Sequence, residues 1–110
     1  MSGTSKRKGD RAELEVAALI ADLTGFPARR KLGAGRADDT GDIDGVPDTV
    51  VQVANWADAL AAIRQKPIEA DTQRVNAGAT FAVTAVRLRG GLWRFVCTPE
   101  QWATYQREAL

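Results

Sequence analysis

A chain of 110 residues with one cysteine and no histidine has room for a single core. It excludes an internal disulfide, a multi-cysteine zinc centre and every mechanism that needs an imidazole. Catalysis, if any, must run on carboxylates, lysine or a hard cation such as magnesium or manganese held by oxygen ligands. The balance of 15 basic against 14 acidic side chains hides an uneven layout. Lys6, Arg7, Lys8, Arg11, Arg29, Arg30, Lys31 and Arg36 crowd the first third, and Asp38, Asp39, Asp42, Asp44, Asp48 and Asp58 follow. That order suits a polyanion held next to a metal, or else two solvated surface patches. No apolar run approaches membrane-spanning length and no secretory leader is visible, so the expected compartment is the reducing cytoplasm.

Residues 1–9 are polar and basic and read as a flexible arm. Lys6, Arg7 and Lys8 would touch nucleic-acid phosphates there, or the segment is a solubilising tail. The apolar spacing predicts a helix over 10–24, closed by Gly25. Val16, Ala17, Ile20, Leu23 and Thr24 form its core-leaning stripe, and Glu13 extends that stripe by one turn. A carboxylate facing a core must be satisfied by a partner; for Glu13 that is a metal or a nearby arginine. Glu15 lies off the line and is expected to be solvated. Phe26-Pro27 turns the chain into a strand over 28–32 that carries Arg29, Arg30 and Lys31. The Gly33-Ala34-Gly35-Arg36 loop lacks the ending of a phosphate-binding loop.

A hairpin follows, with Asp42 entering its first strand. On the second strand Gln52 and Ala54 share one sheet face, so Asp42 and Gln52 can converge where a divalent cation would sit. Val51 and Val53 take the other face and are expected to pack on a helix. Residues 58–65 read as a helix with Leu60 and Ile63 inward and Lys66 at its end. Pro67 either interrupts that helix or opens a second one over 68–76, closed by Gly78. Strands over 80–87 and 93–98 flank a tight Arg89-Gly90-Gly91 turn, and Cys97 is expected to lie inert in the second. Thr98-Pro99-Glu100-Gln101 starts a last helix, in which Trp102 and Tyr105 are core or dimer-interface residues. The order is helix, three strands, helices, two strands, helix. It predicts one α/β sandwich around a mixed five-stranded sheet, spanning 10–110.

The ordered set of Glu13, the basic strand Ala28-Arg29-Arg30-Lys31-Leu32, Gly33-Ala34-Gly35-Arg36, Gly41-Asp42-Ile43 and Val51-Gln52-Val53-Ala54-Asn55-Trp56 resembles the archaeal-type Holliday-junction resolvases of the PD-(D/E)xK nuclease superfamily. Similar proteins occur among phage-encoded resolvases, for which the compartment would be the host cytoplasm. The resemblance covers residues 8–95. It implies a restriction-endonuclease-like fold flanked by helices, and a homodimer that cuts four-way DNA junctions in recombination. It also implies Mg2+ or Mn2+ on Glu13, Asp42, Gln52 and the Val53 carbonyl, and DNA contacts from Lys6, Arg7, Lys8, Arg29, Arg30, Lys31 and Arg36.

Two positions depart from the family pattern. Gln52 stands for the second acid and keeps a carbonyl oxygen without its charge. Ala54 stands for the lysine, and a methyl group can neither orient water nor stabilise charge. Lys66, on the following helix, is the candidate replacement, so the implied catalytic set is Glu13, Asp42, Gln52 and Lys66. An ordinary helix-end lysine is the alternative for that residue. Two other readings of the whole chain stand beside the nuclease. One is a catalytically inactive module that binds branched DNA without cutting, and the other is a small structural or protein-interaction domain.

Overall fold

The computed structural model of the chain describes residues 3–32 and 39–109, with side chains from Lys8 onward. Arg36 and the side chains of Lys6 and Arg7 lie outside the described residues. The first helix, α1, spans Gly3–Thr24, so it begins before residue 10 and takes in most of the segment read as an arm. No proline interrupts those residues, and their lysines and arginines are good helix formers. The helix ends as expected, at Gly25 with φ 79°. Ala12, Val16, Ala17 and Ile20 make the buried stripe, whereas Leu23 is exposed because the helix has run past the sheet by then.

Five strands follow in spatial order β1-β2-β3-β4-β5: Arg29–Arg30, Ile43–Asp44, Thr49–Ala54, Phe81–Arg87 and Trp93–Val96. All neighbours are antiparallel except β3 and β4. A parallel pair needs a crossover, and helix α2, Ala59–Ala77, supplies it. The period of two along β3 divides the core. Val51 packs with Val16, Ala17 and Ile20 of α1, with Val53 against the same cluster. Ala54 packs with Ala62 of α2 and Val86 of β4 on the opposite face. The result is the expected α/β architecture, a mixed five-stranded sheet flanked by helices. Among the described residues, no helix is long and apolar enough to cross a membrane.

Helix α2 is where the sequence reading changes most. It is one helix running through Pro67, capped by the Asp58 side chain at the start and by Gly78 in the left-handed region at the end. Proline inside a helix removes one backbone bond, yet the helix is held against β3 and β4 along its length. The buried line is Ala62, Pro67, Ala70 and Gln73. Leu60, expected inward, is 57% exposed. Lys66 therefore sits in the middle of a helix and not at its end.

The last helix, α3, covers Pro99–Glu108 and starts with the predicted capping box between Thr98 and Gln101. Gln101 also donates through Nε2 to the Pro67 carbonyl at 2.9 Å, meeting an acceptor within α2. Tyr105 stacks on Phe81 with ring centroids 4.6 Å apart, as a core residue should, but Trp102 is exposed. Cys97 is exposed just beyond β5, not buried within a strand.

Candidate metal site and the cleft beside it

Asp42 stands where the ladder between β2 and β3 lapses. Ile43 is in register with Val51, and Val51 and Val53 aim their backbone N–H and C=O groups at that same edge. Asp42 fills the gap: its N–H donates to the Val51 carbonyl at 2.9 Å, and its Oδ2 accepts the Val53 N–H at 2.8 Å. The preceding Gly41 adopts φ 104°, and a β-carbon there would press on Val50 and on the Val51 carbonyl. That is the physical reason for a glycine before this aspartate.

Glu13 approaches from α1. Arg30 Nε donates to its Oε1 at 2.9 Å, and the same guanidinium reaches Asp10 at 2.7 Å. The arginine partner expected as an alternative is present. Burial nevertheless pushes the Glu13 carboxyl above its usual range, and the charge of Asp42 pushes the same way. Asp42 is likewise raised, first by burial and then by Asp39, against the lowering effects of the Val53 N–H, Lys66 and Lys31. Partly desolvated carboxylates close enough to repel are the electrostatic condition that a cation relieves.

Gln52 is 3% exposed and its Oε1 has no hydrogen-bond partner. It points to the α2 face, beside Thr84, its register partner on β4, whose hydroxyl is also buried and unpartnered. Lys66 lies on the same side. It falls on the helical line Ala62, Lys66, Ala70, Gln73, its side chain is only 19% exposed, and its charge is felt by Asp42. Its Nζ donates to Glu69 at 3.1 Å and lies 5.2 Å from the centre of the Trp56 ring. Ala54, by contrast, is sealed beneath Ala62. A lysine at position 54 would collide with α2.

The expected DNA-contacting residues divide. Arg30 is engaged by Glu13 and Asp10, and Lys31 by Thr40 and by Asp44 at 3.4 Å. Arg29 is exposed and donates only weakly to the Pro27 carbonyl at 3.4 Å. Lys8 is exposed and lines a cleft of about 320 Å³ with Glu13, Val53, Asn55 and Trp56. Glu15, expected to be solvated, accepts a bond from Trp93 Nε1 at 3.2 Å.

Carboxylate oxygens from Glu13 and Asp42 and the Val53 carbonyl at the same edge are the oxygen donors a hard cation takes, whereas the orphan amide oxygen of Gln52 lies on the α2 face beside Thr84. Among the described residues no group of three or more His, Cys, Asp or Glu side chains could hold a metal ion. Comparison with protein-family models, with curated proteins and with solved structures finds no match.

Three participants went unread in the sequence. Trp56 and Asn55 follow β3 directly and form the cleft wall. Gln73 donates to Asp39 Oδ2 at 2.8 Å, tying α2 to the approach to Asp42. Reading α2 straight through Pro67 would have revealed Lys66 and Gln73 as polar groups at sheet-facing positions.

Proposed function

We propose that this chain is a metal-dependent, structure-specific DNA endonuclease of the PD-(D/E)xK type that resolves four-way junctions as a homodimer. The observation that carries the reading is the edge of β3, where Asp42 is held by the Val53 N–H and Glu13 lines the same cleft as Val53, with Lys66 mid-helix on α2 and its side chain only 19% exposed. Lys66 is the candidate cation in place of the lysine that Ala54 replaces. A bound Mg2+ or Mn2+ would neutralise phosphate charge and make a water acidic enough to attack.

The chain's own groups do the rest. Asp42, fixed by the Val53 N–H, and Glu13, fixed by Arg30, present carboxylate oxygens at the edge of β3. Lys66 orients the attacking water and holds positive charge against the phosphate as negative charge builds on its oxygens. Exposed Lys8 and Arg29 contact flanking phosphates, giving salt-sensitive affinity. Two symmetric nicks need two sites, which a two-fold dimer supplies.

The test is cleavage of an end-labelled four-way junction in Mg2+ or Mn2+ beside an Asp42→Ala control. Paired nicks that vanish in the control support the reading. A second reading, a module that binds branched DNA without cutting, is favoured by Ala54 itself, and tight binding with no nicks in either metal would establish it.

A further inference from the structure

We propose that the cleft beside the candidate metal site is a subsite for one unstacked nucleotide of a DNA strand, its base lying on Trp56 and its phosphate against Lys8. The inference rests on the nuclease reading above and extends it to what the site takes in. The cleft, about 320 Å³, falls at the small end of ligand pockets, which run from ~300 to 1,000 Å³. That is of the order of a single nucleotide. Trp56 is 36% exposed although it follows a buried strand, and the Lys66 ammonium lies 5.2 Å from the centre of its ring. An aromatic face beside a cation is the pairing that holds single-stranded nucleic acid, because every base has a face to stack and every nucleotide a phosphate. Asn55 on the same wall offers both a donor and an acceptor to a base edge.

Glu13 sets the condition for entry. Its carboxylate forms part of the cleft wall and repels a phosphate until a divalent cation stands between them. Nucleotide binding is therefore cation-dependent. The enzyme favours strands whose bases are already free of the stack, at branch points, flaps or mismatches, over an intact duplex.

The experiment uses the full chain with Trp93→Phe and Trp102→Phe, so that Trp56 is the one indole of the three, with its fold checked by circular dichroism. Trp56 emission is followed while a 5′-phosphorylated thymidine dinucleotide, and separately a four-way junction, is added in Ca2+ or in EDTA. The expected result is quenching by both in Ca2+ and by neither in EDTA. Trp56→Ala, in the otherwise unchanged chain, should bind the junction ~10-fold more weakly in Ca2+, with most of that loss restored by Trp56→Phe. Junction binding that leaves Trp56 emission unchanged, with Trp56→Ala binding as tightly, overturns the subsite and leaves the nuclease reading standing. A junction that does not bind at all overturns both.

Discussion

The carboxylate of Asp42 accepts the backbone N–H of Val53 at 2.8 Å, and this one bond connects the two halves of the candidate site. It holds the aspartate at the open edge of β3, alongside the Val53 carbonyl, while Glu13 comes from α1 and Lys66 from α2. The edge is open because β2 pairs with β3 only at Ile43 and Val51. A longer β2 would close it with ladder bonds.

Asp42→Asn should separate stability from metal binding. Burial raises the Asp42 and Glu13 carboxyls, so the folded chain holds these protons more tightly than the unfolded chain does. Unfolding releases them, and stability contributed by these groups rises as pH falls through the folded values towards the ordinary carboxylate range. Their contribution to the stability of the metal-free protein should therefore grow as the pH is lowered towards the ordinary carboxylate range. Asn keeps an acceptor for the Val53 N–H and removes the charge, so at pH 7 Asp42→Asn should gain about 1 kcal/mol and a few degrees in Tm. The same variant should lose the stabilisation that Mn2+ gives the parent, about 2.7 kcal/mol at a hundredfold excess over Kd. Thermal melts with and without Mn2+ check both.

Arg30→Gln should move stability and metal affinity in opposite directions. The guanidinium satisfies Glu13 and Asp10 at once, and its loss should lower the urea midpoint. It also competes with a cation for Glu13, so calorimetric titration with Mn2+ should show tighter binding in the variant.

Asp48 gives the acid limb of stability. The Thr80 hydroxyl, and with it the Thr80 N–H that the Asp48 side chain accepts at 3.0 Å, lowers the Asp48 pKa, and the φ of 53° at Asp48 is one that asparagine also tolerates. This contribution is present above the unfolded pKa and lost as pH falls through the depressed folded value. Asp48→Asn should keep the turn while flattening the acid side of a urea-midpoint profile between pH 5 and 2.

Gln101 joins α3 to α2. It closes the capping box with Thr98 and donates to Pro67, so Gln101→Ala should cost ~2 kcal/mol. Junction cleavage per folded molecule should be unchanged, since the residue lies outside the site.

Much of this fold was legible because its punctuation is chemical. Gly25, Gly78 and the Thr98-Pro99-Gln101 cap mark helix ends, and the alternation along β3 assigned Val51 and Val53 to the helix-packed face. Pro67 misled, since helix rules treat proline as a boundary and only the packed sheet reveals that α2 continues through it. With that break went the orientation of Lys66 and Leu60. The segment before Asp10 misled for the opposite reason: its charge and glycines describe an arm, while α1 extends through it. Within the site, Glu13 and Asp42 could be picked out as carboxylates at core-facing and strand-entry positions. Trp56 could not, because nothing local distinguishes an aromatic at a cleft wall from one in the core.

The central claim is that Lys66 supplies the cation that Ala54 lacks, and single-turnover cleavage of a four-way junction by the parent and by Lys66→Ala tests it most directly. The expected result is paired nicks from the parent in Mg2+ and a rate lower by ~10²–10⁴-fold in Lys66→Ala, with a loss of junction binding in Ca2+ far smaller than the loss of rate. No rescue is expected from adding Ala54→Lys, because Ala62 covers that position. Equal cleavage rates would contradict the assignment of Lys66, and tight binding without cleavage by the parent would contradict the enzyme itself.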